Sequence, residues 1–271
     1  MIGHVTIIGK GRVGGAIYRR CIERDVRVTV VDHQAFETWC AQTDPIGDVL
    51  IIATKDNVLP VVVARIVETR RETLREVLVL HLNGSRGSDV LGVFHSAGSV
   101  VGAAHPFQTF ANDDPSALDG IGWGVQCDEG AWHKTRSLVE MLGGVPWLLT
   151  DMSRDRKRRY HAAAVAASNF TYAAYELARR LAEDADIPAD VFLIPIMKRT
   201  LENASGSLKM HEAFSVTGPL ARGDVDGVRQ QYESIPADDR DLYRHLSLAL
   251  LTVVGARLDA DIVVAMREIL R

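Results

Sequence analysis

The strongest constraint on the fold is a series of short, continuously apolar, β-branched segments alternating with helical patterns. "HVTII" (4–8), "VRVTVVD" (26–32), "DVLIIAT" (48–54), "EVLVLHL" (76–82), "SVVGAA" (99–104) and "IGWGVQ" (121–126) read as strands. Helical patterns fall between several of them, at about 12–24, 57–70 and 130–142. A strand with no polar alternation is buried on both faces, which requires a parallel sheet covered by helices. The first half is therefore expected to be α/β, a Rossmann-type doubly wound sheet.

Strand signals stop near residue 150. "SRDRKRRYHAAAVAASNFTYAAYELARRLAEDADIP" reads as one long helix, rich in good helix formers and ended before Pro188. Further helical patterns follow at about 190–203, 224–234, 239–254 and 259–270. The expected division is an α/β domain over 1–150 and an all-helical domain over 151–271.

Composition excludes several classes. A net charge of −4 gives no reason to expect nucleic acid or an anionic membrane as partner. Cys21, Cys40 and Cys127 are scattered without metal-type spacing, which points to a reducing compartment and away from a disulfide framework or zinc site. The N-terminal apolar run is too short for a signal peptide. No stretch reaches the roughly 18–20 apolar residues that span a bilayer. A cytoplasmic location is the expectation.

"HVTIIGKGRVGGAI" carries Gly9, Gly11 and Gly14 in the G-x-G-x-x-G spacing, after a strand and opening a helix. The three glycines would allow a tight turn, close backbone approach to a pyrophosphate, and close helix–strand packing. Asp32, at the end of the second strand, would accept hydrogen bonds from an adenosine ribose and repel a 2′-phosphate. NAD is therefore expected as cofactor, with NADP also possible because Lys10, Arg12 or His33 could meet a phosphate. Flavin and S-adenosylmethionine fit less well, since no second flavin motif is present. There is no G-K-[ST] loop, H-E-x-x-H, C-x-x-C or G-x-S-x-G.

Ligands of open parallel sheets bind outside the carboxyl ends of the strands. "TKDN" there offers Thr54, and "HLNGSRGS" offers Asn83 and Gly84 near the place of a nicotinamide. "AHPFQTF" (104–110) would bring His105 and Gln108 to the same end. On the long helix, Lys157, His161, Val165, Ser168 and Tyr172 share one stripe, with Asn169 at its margin. The basic run "RDRKRR" (154–159) reads first as a solvated helix surface. Cations are nonetheless unfavourable near a helix N-terminus, so an anionic substrate would account for Lys157 or a neighbour. "VTGPLARGD" (216–224) reads as a turn between helices, with Asp224 as an N-cap. Its Arg222 could grip a substrate carboxylate or pair with a surface acid.

These segments together resemble the Rossmann-like proteins with the helical domain DUF2520, relatives of the 6-phosphogluconate dehydrogenase-like superfamily that includes ketopantoate reductase and pyrroline-5-carboxylate reductase. The residues that carry the resemblance are "GKGRVG", "AHPFQTF", "YHAAAVAASNF" (160–170) and "VTGPLARGD". The resemblance implies a helical substrate and dimerisation domain, a homodimer, and hydride transfer to a small carbonyl or imine. Many superfamily enzymes place a catalytic lysine on the long helix with an asparagine one turn later. Here His161 follows Lys157 by one turn and Asn169 comes later, so the donor does not carry over as lysine.

The expected activity is reduction of a small, ketopantoate-like 2-oxo acid or an imine, with NAD(P) as hydride source. His161 is the preferred proton donor, because its ordinary pKa lies near neutrality. His105 is the second candidate donor. Asn169 and Ser168 would orient substrate, Gln108 would fix His105 or contact the cofactor, and Arg222 or Lys157 would hold a carboxylate. The alternative is a sensor or scaffold that binds NAD(H) without turnover.

Overall fold

The computed structural model describes residues 2–271. It falls into two compact units, Met1–Ser168 and Asn169–Arg271. The division lies inside one continuous helix rather than near residue 150.

The first unit is built on seven strands, β1 (His4–Ile8), β2 (Arg27–Val31), β3 (Val49–Ile52), β4 (Leu78–His81), β5 (Val100–Pro106), β6 (Gly122–Cys127) and β7 (Val145–Leu148). They lie in the order β2-β1-β3-β4-β5-β6-β7. The crossovers are made by α1 (Arg12–Glu23), by α2 (Phe36–Cys40) and by α3 (Leu59–Arg70). The strand order reverses between β1 and β3, which opens a crevice at their carboxyl ends. The fold is the expected α/β, Rossmann-type sheet.

Burial explains the apolar runs. Every residue of β3 and β4 is buried. Val49 and Ile51 pack into one cluster, with Ala16, Ile17, Leu138 and Leu142. Leu50 and Ile52 pack into the other, with Leu59, Val63, Ile66 and Phe94. Alternate residues thus feed two cores on opposite faces of the sheet. Truncating Ile51 to alanine would cost about 2–5 kcal/mol.

Two features of the sheet were not visible in the strand pattern. No helix lies between β5 and β6, only a 3-10 turn at Pro115–Leu118, and the two strands run antiparallel. After α4 (Trp132–Met141), the short β7 adds an edge strand parallel to β6. Its sequence VPWL contains a proline and has no buried residue, so it lacks the signal of an interior strand.

The long helix α5 spans Arg154–Asp184. Asp186 follows in the left-handed region at φ 55°, and Ile187 N–H donates to the Ala182 carbonyl, which ends the helix before Pro188. Then come α6 (Ala189–Met210), α7 (Pro219–Arg222), α8 (Val225–Ser234), α9 (Ala237–Val254) and α10 (Ala260–Ile269). The core of the second unit is small, centred on Leu220, Val228, Leu251, Val254 and Met266. Asp224 caps α8 by accepting from Gly227 N–H at 2.9 Å, as expected. Thr217, Gly218 and Pro219 border a cavity of about 260 Å³ inside this unit, with Leu177, Gln231 and Tyr243. No helix among the described residues is long and apolar enough to cross a membrane.

Candidate functional site

The turn after β1 has the form a pyrophosphate requires. Gly9 sits at φ 110°, and a Cβ there would lie 2.5 Å from the Ala53 carbonyl oxygen at the end of β3. A Cβ on Gly14 would collide with the Gly9 carbonyl, so α1 could not approach β1. Gly11 differs: a Cβ there would meet nothing within 4 Å. It is the N-cap of α1, and no side chain caps the first amide N–H groups of the helix. Free amides at a helix N-terminus beside a glycine are a fitted anion seat. Arg12, in the first turn, donates to the Phe110 carbonyl at 2.9 Å and ties this turn to the segment after β5.

Asp32 follows β2. One of its carboxylate oxygens accepts from the Gln34 and Ala35 amides at 3.0 and 2.9 Å. These hydrogen bonds, Ala35's foremost, together with nearby His33 and Lys10, hold the exposed carboxyl below its ordinary range. Lys10 is exposed. Cations and an acid thus share the place where an adenosine ribose would lie.

A second polar centre forms at the ends of β3 and β4. His81, the last residue of β4, is wholly buried, and burial pushes its imidazole down to about 4. Its Nδ1 accepts from Asn83 N–H at 3.1 Å, so Nε2 carries the proton and donates to the Gly87 carbonyl at 2.8 Å. The Asn83 Oδ1 accepts from Ser85 N–H, Ser85 Oγ and Arg86 N–H. That oxygen is saturated, which turns Nδ2 the other way, and Nδ2 is buried with no partner. Thr54 Oγ1, just beyond β3, is also buried without a partner.

The first turns of α5 pack beside Gly84. A Cβ on Gly84 would lie 2.5 Å from His161 Nδ1 and 2.7 Å from His105 Nε2. The two imidazoles stand edge to face with centroids 5.7 Å apart. His105 Nδ1 is 3.0 Å from the Tyr160 hydroxyl. Burial first, then the neighbouring His161 and Lys157, pushes His105 down to about 4. His161 Nδ1 is buried with no partner.

Lys157 changes the reading of "RDRKRR". Arg154, Asp155, Arg156, Arg158 and Arg159 are exposed, as a solvated surface requires. Lys157 is only 2% exposed, and its Nζ has no hydrogen-bond partner. Its Nζ sits over the Tyr160 ring, 5.1 Å from the centroid. Desolvation pushes the ammonium down to about 8. An unpaired buried ammonium is costly, and proteins keep one where a ligand or a reaction uses it.

The remaining expected residues are placed less centrally. Gln108 is exposed, and its Oε1 accepts from Thr109 N–H at 2.9 Å. Ser168 donates to the Ala164 carbonyl at 2.7 Å. Asn169 is the first residue of the second unit. Arg222 is exposed at the end of α7 in that unit. Two residues of the site escaped the sequence: His81, hidden in a buried strand, and Tyr160. Tyr160 lies three residues after Lys157 and is therefore its neighbour on the helix face, which was the available signal.

The sheet order, the glycine turn at the reversal point and the orphaned donors beside it define a Rossmann-type fold with a ligand site at its strand ends. Residues 121–250 match the family DUF2520, described as a domain of unknown function, a stretch that runs from β6 into α9. No curated protein matches the chain. Among solved structures, a candidate NADP oxidoreductase from Bacteroides fragilis is 22% identical with a TM-score of 0.71, covering 92% of this chain and 97% of that one. A reductive aminase from Aspergillus terreus, in complex with NADPH and ethyl-5-oxohexanoate, is 16% identical with a TM-score of 0.61, covering 100% and 93%. An imine reductase from Myxococcus stipitatus, in complex with NADP+, is 15% identical with a TM-score of 0.59, covering 93% of each. At these identities the likeness is one of fold.

Proposed function

We propose that the protein is an NAD(P)-dependent oxidoreductase that reduces the carbonyl or imine of a small anionic substrate, a ketopantoate-like 2-oxo acid being the first candidate. The carrying observation is the set of buried polar atoms left without partners at one end of the sheet: Thr54 Oγ1, Asn83 Nδ2, Lys157 Nζ and His161 Nδ1. Buried polar groups in native proteins are almost always satisfied, so a cluster that is not marks a place for ligand atoms. The names of the fold relatives, an NADP oxidoreductase and reductases of imines, support the same reading.

The residues divide the work. Gly9, Gly11 and Gly14 seat the pyrophosphate against α1, and Asp32 meets the ribose. Lys10 and His33 stand beside Asp32 to meet a 2′-phosphate, and the names of the fold relatives favour NADP(H) over the NAD that Asp32 alone suggests. Thr54, Asn83 and Gly84 hold the nicotinamide end. A nicotinamide in that seat supplies a hydride to the substrate carbon. As the electron pair of the C=O or C=N bond moves to the heteroatom, a proton must arrive there. His105, neutral at pH 7, can donate a hydrogen bond but is not an imidazolium acid. Lys157, with its pKa near 8, is protonated at neutral pH and close to the pKa a general acid needs. Lys157 is therefore the proposed donor, with His161 one turn along α5 holding the same heteroatom. A second copy of the chain would cover the exposed apolar residues of α6, giving the homodimer that the resemblance implies.

The test is NADPH consumption, measured by absorbance, against a panel of 2-oxo acids and cyclic imines. Turnover that saturates with substrate is expected. Tight NADPH binding with no turnover across the panel would return the protein to the role of a cofactor-binding sensor.

A further inference from the structure

Tyr160 belongs to no cofactor or substrate role above, yet its hydroxyl occupies a built position. It approaches Gly124 on β6 so closely that a Cβ on Gly124 would overlap the oxygen. Burial raises the phenol to about 12, so it stays protonated. Gly124 is also the residue that pairs with His105 across the antiparallel β5–β6 ladder. One strand pair therefore fixes both ends of the contact between Tyr160 and His105.

The Tyr160 hydroxyl has a single proton to give. A phenol O–H is a stronger donor than a neutral imidazole N–H, and an imidazole nitrogen a stronger acceptor than a phenol oxygen, so that proton goes to the nitrogen. His105 Nδ1, 3.0 Å away, is the acceptor the structure provides. An imidazole that accepts at Nδ1 carries its proton on Nε2 when neutral. Nε2 is the atom that faces Gly84 and the edge of His161. Phe107 and Tyr160 both pack edge to face against the His105 ring, with centroids 6.1 and 5.6 Å from it.

We propose that Tyr160 is a positioning residue: its hydroxyl, seated against the bare face of Gly124, locks His105 in the Nε2–H form, so that His105 presents a neutral N–H donor to the substrate heteroatom. The assignment rests on the reductase reading for its consequence and on the β5–β6–α5 geometry alone for the lock. Gly124, opposite His105 in the antiparallel ladder, is what leaves room above the sheet for the hydroxyl of the helix tyrosine. His105 then acts as one arm of an oxyanion-type cradle, which needs a donor that does not titrate near neutrality.

The experiment is ¹⁵N NMR of histidine-labelled protein, with the His105 signals assigned by their loss in His105→Gln. The wild type is expected to show a single neutral Nε2–H tautomer at pH 7, and Tyr160→Phe a mixture of tautomers. Removing one neutral hydrogen bond of this kind is expected to lower kcat about three- to tenfold while the NADPH Kd holds. Because glutamine sets an amide N–H near the place of Nε2 and asparagine near that of Nδ1, His105→Gln should retain more activity than His105→Asn. An Nδ1–H tautomer in the wild type, or an unchanged His105 spectrum in Tyr160→Phe, overturns the lock. A shifted tautomer in a protein that reduces nothing keeps the lock and sinks the reductase reading instead. Should Tyr160→Phe not fold, the wild-type tautomer and the order of the two His105 variants still decide between lock and no lock.

Discussion

The two units bury their apolar residues very differently. In the α/β unit the interior strands are closed on both faces, and Thr54 Oγ1, Asn83 Nδ2, Lys157 Nζ and His161 Nδ1 stand without partners at one end. In the helical unit few residues reach full burial, while Val191, Phe192, Ile194, Ile196, Leu201, Leu208 and Met210 of α6 all stay exposed. Exposed apolar patches of this kind mark an interface rather than a finished surface. The contrast teaches that one unit is complete as a fold and incomplete as a binding site. The other is incomplete as a fold.

The largest expected effect bears on the incomplete site. Lys157→Met should lower kcat by about 10²–10⁴-fold if Lys157 supplies the proton. The same change should leave the melting temperature intact or raise it, because it replaces an unpaired buried charge with apolar volume. If His161→Gln gives the larger loss and Lys157→Met mainly raises KM, the proton comes from His161. The incomplete fold is tested next. Leu201→Glu on α6 should halve the mass seen by light scattering; a wild type that is already monomeric rules out the second copy.

Stability inside the α/β unit separates its glycines. Gly14→Ala should cost about 1–3 kcal/mol in urea unfolding, since the new Cβ strikes the Gly9 carbonyl. Gly11→Ala should leave stability unchanged and weaken NADPH alone, because only a ligand occupies that space. The smallest effects come from pH. Reductase activity should fall as pH rises through about 8, where Lys157 loses its proton. Stability should fall as pH drops from about 6.5 towards 4, because His81 binds a proton in the unfolded chain that the fold refuses.

Much of the fold and part of the site were legible in the residues. Continuous apolar runs located the interior strands, and the glycine spacing located the turn. His105, His161 and Lys157 stood out by their positions at a strand end and on one helix stripe. What stayed hidden depends on direction and depth. Strand composition does not say that β6 runs antiparallel, nor that a strand as short and exposed as β7, with its proline, pairs at all. The run "RDRKRR" does not say how deeply Lys157 is swallowed, because depth depends on what the rest of the fold packs over that stripe. His81 looks like any residue of a buried strand until its two ring nitrogens are traced to Gly87 and Asn83.

Gly84 offers a way to read other chains. Two imidazole edges occupy the volume that a side chain at this position would need, so the loop after β4 and the pair His105 and His161 are spelled together. A related sequence with alanine or serine at the equivalent position must have moved or replaced at least one of the two histidines. A hydrogen atom at one loop position thus serves as a password for the imidazole pair, one that can be checked by eye in any sequence.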